Sequence, residues 1–223
     1  TSGFIVGSRN GTADSVAAFT LEVTQPGGMQ TFAAPGYDPP DAFTALAPGR
    51  TTITFDENPF PDGSANGPLG AGARGAEVTA QYSPLGVSFG TAAANVQTFV
   101  FGQFTPRYRG KSLGNNAFAF QGSFQSPIGA TFTLPQSAVG TVVIDDDGQI
   151  GFATLTAYAG PNGTGIALAS VSSPGGAGND PYFLGLVDAG GGAPRILSVI
   201  VRFQRVSGSD LAIDDFTFVS SGP

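Results

Sequence analysis

The chain has 223 residues, including 34 Gly, 17 Pro and 19 Phe, and its formal net charge is −7. It contains no Cys, His or Trp, which excludes disulfides, thiolate and imidazole metal ligands, and nucleophiles activated by a histidine. With few basic residues and a single Lys, it also lacks the positively charged face that nucleic-acid binding requires, so we expect no nucleic-acid partner.

Short segments of alternating apolar and polar residues follow one another between turns that contain Gly or Pro. This period of two is typical of β-strands, and no segment has a convincing helical period. One segment predicts a hairpin, because Asn162 and Gly163 readily adopt the positive φ values of a tight turn. In chain order, the predicted strands are FTLEV, RTTITFDE, AEVTAQY, GVSFG, QTFVFGQF, NAFAFQGSF, ATFTL, AVGTVVIDD, the hairpin IGFATLTAYAGPNGTGIALASV, RILSVIVRFQRV and LAIDDFTFV.

The first predicted strand is separated from the others along the chain. Phe19, Leu21 and Val23 share one of its faces, and polar residues occupy the other. The Gly- and Pro-rich residues 25–49 predict a linker, because so long a connection is unusual within a compact domain. We therefore expect two parts, an N-terminal strand and linker arm over 1–49 and a β-sandwich domain over 50–223.

A strand with one apolar face has three possible locations: folded back on its own domain, exposed to solvent, or inserted into a neighbouring subunit. Exposure is unfavourable, because each large apolar side chain left in water forfeits roughly 1.5–3 kcal/mol. Insertion into a neighbour is β-strand addition, and when repeated head to tail it produces a filament. We predict insertion, with folding back as the conservative alternative. The residues predicted to be donated are Val16, Ala17, Phe19, Leu21 and Val23.

Four segments resemble a module of exported bacterial surface proteins, many of which carry a PEP-CTERM sorting tail. They are AEVTAQYSPLGVSF, LTAYAGPNGTGIALASV, PYFLGLVDAGGGAPRILSVIV and LAIDDFTF. The resemblance implies an all-β fold, a jelly-roll-like antiparallel β-sandwich over about 51–219. The chain lacks the sorting tail, begins without a signal peptide and ends in SSGP, which would suit removal of a tail. We expect an exported, processed bacterial protein, extracellular or at the cell surface, with no membrane-spanning segment.

Two acidic pairs lie near the two ends of the predicted sandwich: Asp56 with Glu57 in TFDE, and Asp214 with Asp215 in IDDF. First and last strands of a sandwich often pair, and carboxylates brought together repel one another unless a cation binds them. Calcium accepts six to eight oxygen ligands in irregular geometry, so we predict one structural Ca²⁺ here. Jelly-roll modules like the one that this chain resembles often hold calcium at this place. The alternative is that the carboxylates flank a solvent-exposed strand without a metal.

A basic cluster lies in the segment TPRYRGKS. Such a cluster can bind an anionic sugar, a phosphate or a partner surface, although it is more often a solvated loop between strands. A glycan-binding role would lack an aromatic platform, because there is no Trp and the Phe residues occupy strands that predict core packing. The cluster consists of Arg107, Tyr108, Arg109 and Lys111.

Two sequons are present, at Asn10 and Asn162. Either could carry a glycan where the organism has the machinery. Because Gly follows both residues, turn formation already explains them.

The sequence contains no readable catalytic constellation, and we predict that the protein is not an enzyme. We expect an extracellular structural subunit that forms a head-to-tail homopolymer by donating its N-terminal strand to the next copy. The alternative is a monomeric, calcium-stabilised β-sandwich module that binds extracellular glycans or matrix.

Overall fold

The structure is a computed structural model, and it describes residues 28–56, 74–91, 98–101, 112–115, 127–145, 150–174, 181–205 and 211–220. These residues form twelve strands, one short helix, α1 (Asp41–Leu46), and two 3-10 turns, Ser83–Leu85 and Pro161–Gly163. The strands are β1 (Met29–Pro35), β2 (Thr51–Ile53), β3 (Arg74–Glu77), β4 (Val87–Thr91), β5 (Thr98–Phe101), β6 (Ser112–Asn115), β7 (Ile128–Asp145), β8 (Ile150–Tyr158), β9 (Ala167–Ser172), β10 (Tyr182–Asp188), β11 (Ile196–Arg205) and β12 (Leu211–Ser220).

The long strand β7 joins two layers of antiparallel sheet. Its first half pairs with β4 and β11, and its second half pairs with β10 and β12. Sheet I therefore has the order β4, β7, β11, β8, β9. Sheet II has the order β1, β10, β7, β12, and β12 pairs on its far side with β2 and with β6, beyond which lie β5 and β3. All of these ladders are antiparallel.

The main hydrophobic core lies between the two sheets. Alternation along each strand places apolar side chains inward, as in β8, where Ala153, Leu155 and Ala157 are buried and the residues between them are partly exposed. Phenylalanine rings from both layers meet in this core, with centroids 5.0 Å apart for Phe89 and Phe216. Edge-to-face packing of this kind favours a defined arrangement of the rings.

A second core covers the outer face of sheet II. The chain from 36 to 47 lies over that face, and Phe43 of α1 packs edge to face against Phe183, with centroids 4.9 Å apart. Gly140 and Gly185 are directly opposite each other beneath these rings. A Cβ atom at Gly140 would lie 2.5 Å from Phe183 Cζ, and one at Gly185 would lie 2.7 Å from Phe43 Cδ2. The two glycines therefore make the space that the aromatic rings fill.

The prediction of an all-β, jelly-roll-like antiparallel sandwich is confirmed for the described residues. The interpretation of 25–49 as a linker is wrong from residue 28 onward, because β1 pairs along its whole length with β10. The expectation of no helix is also wrong, since α1 is present; six residues are too few to display a helical period, and α1 is held by the burial of Phe43. The predicted N-terminal strand lies outside the described residues.

Candidate functional site

Two strand edges lie next to each other on one side of the sandwich, where sheet I ends at β9 and sheet II ends at β1. At the two ends of β1, Gly28 O accepts a hydrogen bond from Ala189 N, and Gly36 N donates one to Pro181 O. Backbone groups point alternately to the two sides of a strand, so those of Met29, Thr31 and Ala33 point away from β10. In β9, the bond from Ser173 N to Ala153 O likewise directs the backbone groups of Ser170 and Ser172 away from β8.

These outward backbone groups have no backbone hydrogen bond to any other described segment. We call the space between the outer edges of β1 and β9 the seam. By contrast, the outer edge of β4 is already used within the chain: Val87 N donates to Tyr82 O, and Phe89 N donates to Thr79 O. Cα atoms of β1 and β9 approach within 8 Å across the seam, whereas a strand lying between them would need roughly 10 Å, so the seam is closed by the approach of its own two edges.

The edge strands β1, β2 and β9 carry no charged residue. Their sequences are MQTFAAP, TTI and ALASVS. Natural edge strands are commonly protected from pairing with other chains by charged side chains, Lys above all, or by bulges and Pro. Pro35 at the end of β1 is the one proline in these three strands, and β2, which among the described residues pairs with β12 alone, has no ladder on its other edge.

The outer face of sheet I carries a docked turn. Asn162 and Gly163 have φ values of 54° and 71°, the positive values that the sequence predicted for this hairpin. Thr131 Oγ1 donates to Asn162 Oδ1 and accepts from Asn162 N, both at 3.0 Å. Ser198 Oγ accepts from Gly163 N at 2.9 Å and donates to Gly160 O at 2.5 Å. Side chains of β7 and β11 therefore hold the turn against the sheet.

A shallow pocket of about 60 Å³ lies beside this turn. It is lined by Ser88, Phe89, Gly90, Gly129, Thr131, Asn162 and Ile200. The pocket is far smaller than the roughly 300–1,000 Å³ of a site that encloses a drug-sized ligand. It can therefore receive a single side chain or substituent.

Paired hydroxyls lie on the same outer face, beyond the turn. Thr154 Oγ1 is 2.7 Å from Ser172 Oγ, and Thr156 Oγ1 is 2.9 Å from Ser170 Oγ. In each pair one hydroxyl donates to the other, so one donor and several lone pairs remain for a ligand. Phe152, which is 38% exposed, lies on the same face. Among the described residues, this face therefore carries hydroxyls, the exposed ring of Phe152 and the exposed Arg202 opposite Thr154, which are groups that can bind a polar ligand.

The acidic pairs are brought together in part. β2 and β12 pair, with Ile53 opposite Phe216, as expected for the two ends of the sandwich. Asp214 is 2% exposed, and its Oδ1 accepts from Asp215 N at 2.7 Å. Asp215 has a φ of 45° at a bulge in β12, whereas Asp56 is exposed after the end of β2. The Asp214 carboxylate thus accepts a hydrogen bond from the backbone at a strand irregularity.

No group of three or more His, Cys, Asp or Glu side chains that could hold a metal ion occurs among the described residues. Glu57, the fourth member of the proposed set, lies outside them. The calcium site stays a prediction.

Most other predicted site residues fall outside the described ranges. They are the donor residues Val16, Ala17, Phe19, Leu21 and Val23, the basic cluster Arg107, Tyr108, Arg109 and Lys111, and the sequon at Asn10. Asn162 is described and exposed, and its role in the turn is confirmed by its conformation and its bonds to Thr131. Its glycosylation stays a prediction.

Sequence reasoning did not identify the seam or the residues that anchor the turn. The sequence of β1, MQTFAAP, does not alternate between apolar and polar residues, because Met29 packs in the main core and Phe32 packs in the second core on the opposite face. Thr131 and Ser198 are far from the turn in sequence, and no local pattern marks their contact with it.

Comparisons with known proteins identify no family. No family model matches the chain, and no curated protein matches it significantly. Among solved structures, the K2 cleaved adhesin domain of Lys-gingipain is similar over 78% of this chain and 99% of that chain, at 14% identity and a TM-score of 0.42. A likeness of this size carries no argument about function. Within the described residues, no helix has the length and apolar character needed to cross a membrane.

Proposed function

We propose that the protein is an extracellular structural subunit that polymerises head to tail, with the N-terminal strand of one copy completing the sheet of the next. The observation that carries this proposal is the absence of charge from the edge strands β1, β2 and β9. Main-chain hydrogen bonds supply the affinity in strand addition, and an unprotected edge is its prerequisite.

The sequence before β1 supplies a suitable donor. Phe19, Leu21 and Val23 alternate with Thr20 and Glu22, so one face of the segment can enter an apolar surface while the other remains in water. A heterologous contact of this type does not close on itself unless the rotation between copies permits a ring, so it generates filaments.

Truncation tests the proposal directly. The full chain and a variant lacking residues 1–24 are purified and compared by size-exclusion chromatography and electron microscopy. We expect polymers from the full chain and particles of about one subunit from the shortened one, because main-chain pairing requires the donor. Equal assembly of the two proteins, or a monomeric full chain, would contradict donation.

A matched pair of variants tests whether assembly depends on the apolar face of the donor strand or only on the presence of residues 1–24. Replacing Phe19, Leu21 and Val23 by Thr keeps β-propensity but removes the apolar face, and we expect it to abolish assembly. The control replaces Thr20, Glu22 and Thr24 by Ser on the opposite face, where assembly should persist. If both triple variants assemble alike, the apolar face is not what the neighbour recognises.

The alternative function, a monomeric module that binds glycans or matrix, is favoured by the paired hydroxyls and the exposed Phe152 on the outer face of sheet I. Hydroxyls and an aromatic ring are groups that bind neutral sugars. Retardation in gels containing neutral polysaccharides, lost in Phe152→Ser, would support this function. If retardation is instead lost in Tyr108→Ala and kept in Phe152→Ser, the basic cluster is the binding surface.

A further inference from the structure

We infer that the pocket beside the Pro161–Gly163 turn binds the acetamido group of an N-acetylated sugar. This inference does not depend on polymerisation, and it names a ligand class and a binding position for the alternative function. The pocket lies on the outer face of sheet I, between β4, β7, β11 and the turn. None of the residues that line it is charged, which favours a neutral group because nothing in the pocket would pair with a buried charge.

Two glycines form the floor of the pocket. Gly90 of β4 is opposite Gly129 of β7, and Ile200 of β11 is opposite Gly129 on its other side. A Cβ atom at Gly129 would lie 3.1 Å from Ile200 Cδ1, so this side chain lies close above the floor, whereas a Cβ atom at Gly90 would have no atom within 4 Å. The absent side chains therefore leave a hollow with one apolar wall, which can receive a methyl group.

The next row of residues across β4 and β7 supplies polar groups. Ser88 is opposite Thr131, and its Oγ is 3.5 Å from Thr131 O, a distance so long that the hydroxyl can turn to a ligand at little cost. Thr131 Oγ1 binds Oδ1 and the backbone N of Asn162. The side-chain Nδ2 of Asn162 makes no hydrogen bond to another described residue, so its two N–H groups are available as donors.

An acetamido group matches these three features together. Its carbonyl oxygen can accept from Asn162 Nδ2, its N–H can donate to Ser88 Oγ, and its methyl group can lie on the glycines beside Ile200. The pocket volume of about 60 Å³ corresponds to roughly four to six water molecules, which is room for this group but not for a sugar ring. A hydroxyl in place of the acetamido group would leave the apolar part of the pocket unfilled and one polar partner unmatched.

Saturation-transfer NMR on the full chain tests the inference with two disaccharides, N,N′-diacetylchitobiose and cellobiose, which differ only in having acetamido or hydroxyl groups at the same carbon. We expect saturation of the acetyl methyl protons of the first and no signal from the second. Gly90→Leu should abolish the signal by filling the pocket, since Gly90 has no positive φ and its Cβ would meet nothing. The control Gly192→Leu, at an equally open position outside the pocket, should keep it.

Asn162→Asp is a second variant, which keeps an acceptor for Thr131 but removes the Nδ2 donors. We expect it to weaken binding about tenfold, as for one lost hydrogen bond. Circular dichroism checks that each variant is folded.

Three results would overturn the inference: no signal from either disaccharide, equal signals from both, or an undiminished signal in folded Gly90→Leu and Asn162→Asp. A signal that is lost in Phe152→Ser but kept in Gly90→Leu would also overturn it, while supporting glycan binding elsewhere on the same face. Polymerisation is decided separately by the truncation of residues 1–24, so failure of one proposal is distinguishable from failure of the other.

Discussion

The packing of the second core depends on the absence of side chains at Gly140 and Gly185. They are opposite each other in neighbouring strands, and the rings of Phe43 and Phe183 occupy the space above them. Neither glycine has a positive φ, so their requirement comes from packing and not from backbone conformation. Any larger residue must displace a buried ring.

We predict that Gly140→Ala destabilises the fold by about 1–3 kcal/mol, because overpacking forces buried side chains from their preferred positions. The added Cβ would lie 2.5 Å from Phe183 Cζ. Gly192→Ala is the matched control, since no atom lies within 4 Å of a Cβ there. Urea unfolding measures both free energies, and equal values would show that Phe183 moves aside without cost.

Asp188 and Arg195 form a two-pronged ion pair at the two ends of the β10–β11 connection. Arg195 Nε donates to Asp188 Oδ2 at 2.8 Å and Nη2 donates to Oδ1 at 2.7 Å. The side chain of Asp188 is 5% exposed, whereas that of Arg195 is 39% exposed. Hydrogen bonding to this carboxylate raises the pKa of the Arg195 guanidinium above its usual value.

Arg195→Gln should lower the free energy of unfolding by about 1–3 kcal/mol, because the poorly exposed Asp188 carboxylate loses its charged donors. Arg202→Gln is the control: Arg202 is exposed on the outer face of sheet I, and we expect a change within about 0.5 kcal/mol. Chemical denaturation of the two variants decides the matter, and similar values would show that solvent already satisfies Asp188.

Among the secondary-structure elements, helix α1 is stabilised by its tertiary contacts and not by the helical propensity of its own sequence. Phe43 is fully buried and packs edge to face against Phe32, at 5.6 Å between centroids, as well as against Phe183. Six residues form too short a helix to persist alone in water. The helix therefore depends on the face of sheet II that it covers.

Phe43→Ala is expected to lower the free energy of unfolding by about 3–5 kcal/mol, through lost burial and a cavity between α1 and sheet II. Leu46, which is 42% exposed on the same helix, provides the control Leu46→Ala. Thermal and urea unfolding are the measurements. A small loss for Phe43→Ala would indicate that the second core collapses around the gap.

Element by element, the sequence predicted strands well where alternation ran without interruption, as in β8, β9 and β11. It failed at β7, which was divided into ATFTL and AVGTVVIDD because Pro135 and Gln136 interrupt the pattern. The structure shows one 18-residue strand there, since this is the place where the chain passes from sheet I to sheet II. Such a corner depends on which strands are neighbours, and local sequence does not record that.

For the two acidic pairs, the sequence predicted which strands lie together but not how deeply each carboxylate is buried. The neighbourhood of the TFDE and IDDF segments followed from general sandwich topology and is confirmed by the pairing of β2 with β12. The burial of Asp214 did not follow, because it lies at a bulge in β12 that local sequence does not record.

At the scale of the whole molecule, calcium would link the two ends of the described sandwich. If Asp56, Glu57, Asp214 and Asp215 bind Ca²⁺, the ion stabilises the folded state by about 2.7 kcal/mol when its concentration is 100 times Kd. We expect the melting temperature to rise with millimolar CaCl₂ and to fall back with EDTA.

Asp56→Asn should remove this calcium-dependent rise, whereas Asp41→Asn, another exposed Asp at the start of α1, should keep it. The temperature of unfolding is followed by circular dichroism with and without CaCl₂. A melting temperature that does not respond to calcium in the unmodified protein ends the calcium hypothesis.

The central position of β12 affects how the chain can fold as it is made. β12 is the last described strand, yet it lies inside sheet II between β7 and β2. Until the residues up to 220 have been synthesised, one side of the second half of β7 lacks its β12 partner. Sheet II therefore closes only after β12 is available, and the edge of β7 is exposed to aggregation until then.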